Sequence, residues 1–165
     1  MKKEKELKPK TIERLAWLVF AEKEIVNPKK FKFPGLGEKT RADVKCEDDG
    51  DNASSKLDCV HPNGDSPGQY KYSFAFIDNE SSRRYTALDC NTRGHYSILD
   101  NDTQVRFGSH VHIFDKELQD TRIIEISDLP EVFTDTHDVA TLLREYLDYI
   151  HIRNNKELDI EENLI

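Results

Sequence analysis

Long hydrophobic runs are missing from this 165-residue chain. No apolar stretch approaches the ~18 residues that cross a membrane. The opening MKKEKELKPK is basic, but no apolar segment of the signal-peptide kind follows it. Export is therefore not expected, and a cytoplasmic location is. Cysteine is scarce: Cys46, Cys59 and Cys90 make an odd number, which excludes a fully paired disulfide framework. In a reducing compartment such thiols are small core residues or metal ligands. With 7 Gly and 6 Pro, neither a collagen-like nor a low-complexity chain is possible. No nucleophile elbow, glycine-rich phosphate loop or internal repeat is present. The length suits one domain built on one core.

What the chain has is charge. Charged residues are 34% of it, hydrophobic residues 36%, and the mean hydropathy is −0.74. Eight Phe and six Tyr are still enough to seed a core. The net charge of −8 is uneven. Residues 1–45 carry 13 Lys/Arg against 7 Asp/Glu, whereas the remainder carries 11 against 25, a balance of −14. Such a body is repelled by bare nucleic acid, whose binding requires cations that displace counterions. It is attracted to basic protein surfaces. The acidic clusters Glu47–Asp51, Asp100–Asp102 and Glu157–Glu162 are candidate contacts.

Periodicity assigns the elements. Residues 1–10 read as a disordered basic leader. Ile12, Leu15, Ala16, Val19 and Phe20 have helical spacing, which predicts a helix over 11–25, ended by Asn27-Pro28. Lys29–Phe33 alternates charge with aromatics as a short strand would. Residues 38–46 read as a strand. Residues 47–69 form a long loop rich in Gly, Pro, Ser and Asp, with a short strand at Leu57–Val60. Tyr72, Phe74 and Phe76 alternate, and Arg84–Cys90 follows a turn, so 70–90 reads as a hairpin. Val105–Phe114 and Arg122–Ser127 are further strands. Val139, Leu142, Leu143, Tyr146, Leu147 and Ile150 draw one apolar stripe on a helix capped by Asp135 or Thr136. The expected fold is a single α+β domain over 11–152. It is an antiparallel sheet of five or six strands with an N-terminal helix and a C-terminal amphipathic helix packed on it. Residues 153–165 read as a frayed acidic tail.

His110-Val111-His112 is the candidate chemical feature. On a strand the two imidazoles share a face while Val111 points away. His95 on the preceding segment and Asp89 on the neighbouring strand complete a possible zinc set of nitrogen and oxygen ligands. The bland alternative is a polar strand face. Cys46, Cys59, His61 and Cys90 make a second set of zinc composition, but no Cys-x-x-Cys knuckle supports it. His137 and His151 flank the last helix. A metal-free ribonuclease is also conceivable, with His95, His110 or His112 as general base and Arg84, Arg93 or Arg106 holding phosphate.

The strings NPKKFKFPGLGEKTRADVKCEDDG, RRYTALDCNTRGH, SHVHIFD and REYLDYIHIRN resemble a family of small bacterial and mobile-element proteins known only as a domain of unknown function. Its pattern is an Arg-x-x-Asp strand, a Gly-His, a His-x-His strand and a closing amphipathic helix. Gly94-His95, His110–His112 and Tyr146–Ile152 match it, and Arg84/Tyr85 to Asp89 match it loosely, with a longer spacing. The usual Asn-Pro-Asp-Gly after the first His is replaced by Tyr96–Asp102. A more distant similarity is to toxin components of toxin–antitoxin pairs. The family has no established activity and supplies context only; the acidic body and the His/Asp set together give the expectation of a zinc-containing inhibitor. It would dock on a basic nucleic-acid-binding protein of host defence, such as an RNA-guided nuclease, in the manner of anti-CRISPR proteins. The alternatives are a toxin-like ribonuclease and an accessory domain without catalysis.

Overall fold

Side-chain alternation over residues 72–78 sets the frame of the molecule. Tyr72, Phe74 and Phe76 project to one face, and strand pairing carries that face across the sheet. The computed structural model describes residues 6–62, 72–90, 95–99, 102–106, 109–134 and 138–160. In chain order its strands are β1 (Lys23–Ile25), β2 (Lys39–Cys46), β3 (Ser55–Val60), β4 (Tyr72–Asp78), β5 (Arg84–Cys90), β6 (His95–Leu99), β7 (Asp102–Arg106), β8 (His110–Asp115) and β9 (Asp120–Glu125). Seven of them form one antiparallel sheet in the order β1-β2-β3-β4-β5-β8-β9. Among the described residues β6 and β7 pair only with each other, and they lie between β5 and β8 in the chain.

Register joins Leu57, Phe74, Phe76, Leu88 and Val111 on one face. One hydrophobic cluster unites this face with Leu15, Leu18 and Val19 of α1 (Pro9–Phe20) and Leu142, Leu143, Tyr146 and Leu147 of α2 (Val139–Tyr149). The Tyr146 hydroxyl donates to Thr86 Oγ1 at 2.9 Å, and Thr86 Oγ1 donates to the carbonyl of His112 at 2.8 Å. A closing helix is thereby tied to the strand that carries the histidines. Each such bond contributes about 1 kcal/mol.

The sheet is wider than the five or six strands expected, and the physical reasons are local. The first helix stops at Phe20, not at 25. Lys23 is fully buried, and its ammonium donates to the carbonyls of Leu18, Val19, Ala21 and Ile150 at 2.7–2.9 Å. It thus satisfies orphan carbonyls at the ends of both helices. Residues 23–25 are freed to become the edge strand β1. Pro9 starts α1 because its missing N–H is an orphan position anyway. The expected leader is thus helical from Pro9, and Leu7 packs against the core.

Lys29–Phe33 forms no strand: Asn27 takes a left-handed φ of 52° and a 3-10 turn covers Pro28–Lys30. The single strand expected at Val105–Phe114 is two, β7 and β8. Asp138, not Asp135 or Thr136, caps α2, accepting from the Ala140 N–H; residues 135–137 lie outside the described part. The expected frayed tail is packed as far as it is described, with Asn155, Leu158 and Ile160 buried.

Candidate metal centre

Asp89, His110 and His112 lie on the sheet face opposite the helices. The register explains it: His110 stands across from Asp89 and His112 across from Ala87, one step out of phase with the core pair Leu88 and Val111. All three site side chains are buried. Their ligating atoms meet. His112 Nε2 lies 3.0 Å from Asp89 Oδ2 and 3.1 Å from His110 Nε2, and His110 Nε2 lies 3.3 Å from Asp89 Oδ2. A tetrahedral zinc with bonds of about 2.0–2.1 Å has ligand-to-ligand edges of about 3.3–3.4 Å. The triangle is close to one face of that tetrahedron, slightly contracted. These three residues could hold a metal ion.

Around the triangle the polar groups are oriented. Ser73, paired across the sheet with Asp89, donates its hydroxyl to Asp89 Oδ1 at 2.8 Å. That leaves Oδ2 facing the histidines, the arrangement that outer-shell hydrogen bonds impose on metal-ligating carboxylates. Burial alone would raise the pKa of Asp89, but His110 and His112 hold it well below the usual carboxylate range. Burial lowers the pKa of His112 against the opposing pull of Asp89, which favours the neutral imidazole that metals require.

Arg84 reaches the same face by a β-bulge. Strict alternation from Leu88 and Thr86 would turn Arg84 into the core. Instead the β4–β5 register shifts between Phe76 and Ile77: Phe76 pairs with Thr86, and Ile77 pairs with Arg84. Tyr85 is the extra residue. It turns inward, where its hydroxyl meets Ser55 Oγ at 2.9 Å, and Arg84 comes out on the face of His112. Arg84 Nη2 lies 3.5 Å from His112 Nδ1 and 3.5 Å from Thr121 Oγ1.

A family model matches residues 11–152. The chain belongs to DUF6978, a family of unknown function. No curated protein matches the chain, and no solved structure does. Within the family's span the structure brings together three of the four expected ligands. His95 opens β6 with its backbone opposite Arg106, and its side chain lies outside the described part.

The cysteine set is not assembled as a centre. Cys46 accepts from Ser54 Oγ at 3.4 Å, and His61 stacks on Tyr72 with ring centroids 4.1 Å apart. Cys59 is fully buried, and burial pushes its thiol well up. None of the three cysteines is in a disulfide. His137 and Arg93 lie outside the described residues. His151 is exposed at φ 64° just past α2, a turn position where it also lies near the Phe20 ring. No described helix is long and apolar enough to cross a membrane. Sequence reasoning missed Ser73 as a site residue, although its alternation signal was there. The face of Arg84 had no signal, because the bulge comes from pairing.

Proposed function

We propose that the protein is a zinc-binding domain whose resident ion is held by Asp89, His110 and His112. The observation that carries this reading is the convergence of three ligand atoms within 3.0–3.3 Å of one another. If Asp89 accepts from both rings, two Nε2 protons face each other across 3.1 Å, whereas one cation satisfies all three atoms. The two-nitrogen, one-oxygen set favours zinc over magnesium or calcium, which prefer oxygen. The same geometry speaks against a metal-free ribonuclease, since both imidazoles turn toward each other and Asp89. The deciding experiment is elemental analysis of untagged protein beside a His110→Ala/His112→Ala double variant. About one zinc per chain, lost in the variant, is the expected result. Protein free of metal after growth in zinc-replete medium would discard the reading.

The proposed role of this domain is docking. The acidic body would occupy a basic, nucleic-acid-binding protein surface, the channel of an RNA-guided nuclease being one of matching charge. Exposed Glu47, Asp48 and Asp51, between β2 and β3, are the proposed contacts. Affinity for such a partner falls steeply as salt rises. A complex of unchanged strength between low and high salt would refute the electrostatic basis.

A further inference from the structure

Arg84 is the charged group for which the metal centre alone gives no reason. It is exposed, and among the described residues no carboxylate pairs with it. Arg14, Arg41, Arg122 and Arg153, by contrast, each pair with Asp or Glu. A bulge, the costlier local geometry, is what brings it to the site face. There it touches His112 on the ring nitrogen away from the triangle, and Thr121.

We infer that Arg84, Thr121 and the metal held by Asp89, His110 and His112 together form a binding site for a small oxyanion of the phosphate type. This rests on the metal reading above. The three ligands found among the described residues leave a tetrahedral ion one position for an exogenous oxygen. A guanidinium supplies planar paired donors that match oxyanions, and the Thr121 hydroxyl adds one more. Metal loading also releases Arg84. A guanidinium only donates, so its contact with His112 Nδ1 requires that nitrogen to accept. When Nε2 binds a metal, the neutral ring carries its proton on Nδ1 and no longer accepts. The guanidinium is then free for the anion.

Charge agrees with this. One Asp, a divalent ion and Arg84 leave a local surplus of positive charge within an acidic body. Such a spot attracts a small anion, while the surrounding charge of the chain repels a polyanion. Glu125 stands across from His110, whereas Thr121 pairs with Phe114 toward the other end of β8. The anion's place is therefore on the Arg84 and Thr121 side.

The test uses the full chain loaded with cobalt(II), whose visible absorption reports its ligands, and inorganic phosphate as the probe. Phosphate should shift the cobalt band in the wild type. In Arg84→Met the phosphate midpoint should rise about tenfold or more, with cobalt affinity nearly unchanged. Arg84→Lys should fall between, since it keeps the charge and loses the fork. Thr121→Val gives a second, milder weakening at a residue that is not itself a metal ligand. A cobalt band that phosphate leaves untouched, that phosphate bleaches by stripping the ion, or that shifts equally in Arg84→Met would overturn the inference alone. A protein that gives no cobalt band would remove the metal reading and this inference with it.

Discussion

Lys23 Nζ and the carbonyl of Ile150 meet at 2.7 Å, across 127 residues of chain, and join the ends of the two helices. The same ammonium holds three carbonyls at the end of α1 and sits 6.0 Å from the Tyr85 ring centroid. Lys23→Met keeps much of the volume and removes every donor. Its expected cost is about 3 kcal/mol or more, from buried carbonyls left unpaired. Urea denaturation measures it. Burial draws the Lys23 pKa down to about 8, below its unfolded value of about 10.4. Between those values the unfolded chain holds a proton that the folded chain has released. Wild-type stability relative to Lys23→Met should therefore grow as pH rises through that window.

Ser73→Ala removes the hydroxyl that fixes Asp89 without touching the ligands themselves. Metal affinity should fall about 10- to 100-fold, with the fold intact by circular dichroism. A competition titration against a chelating dye reads the change. An unaltered affinity would mean that Asp89 needs no such support.

Zinc at a hundred times its dissociation constant should stabilise the native protein by about 2.7 kcal/mol. For a chain of this size that is a rise in Tm of roughly 5–10 °C. Thermal scans with zinc and with excess chelator give the comparison. The Asp89→Asn variant should show little of the rise.

Asp78 anchors the β4–β5 turn. Its fully buried carboxylate accepts from Arg14 Nε at 2.9 Å, Ser81 Oγ at 2.6 Å and the Ser81 N–H at 3.0 Å. Burial pushes its pKa up, but these donors from Ser81 and Arg14 bring it below the ordinary value. A carboxyl whose folded pKa is depressed adds stability above its unfolded pKa of about 3.9 and loses it as pH falls through the folded value. Asp78→Asn should therefore be less stable than wild type at neutral pH. The difference should shrink as the solution is acidified below about pH 4. A gap that persists unchanged into strong acid would assign the loss to packing.

Much of this was legible before any coordinates. The stripe from Val139 to Ile150 announced α2, because a period near 3.6 has no other packed solution. The alternation of His110, Val111 and His112 fixed their faces, and the strand expected at Arg84–Cys90 put Asp89 on the neighbour of the histidine strand. What stayed hidden depends on contacts distant in sequence. β1 is a strand because Lys23 is sequestered by carbonyls of both helices. Leu158 and Ile160 are buried although most residues around them are charged. Arg84 changes face through a register shift against β4, which no one-dimensional pattern records.

β5 ends at Cys90 and β8 begins at His110, yet Asp89 and His110 are direct register partners. Between them in the chain lie β6 and β7, which pair with each other in a sheet of their own. The entropy of closing such an excursion grows only with the logarithm of its length. A change in the length of that excursion therefore has little thermodynamic cost, while the pairing of β5 with β8 keeps Asp89, His110 and His112 in place. The site is thus specified by the β5–β8 pairing and not by the length of chain that joins those strands.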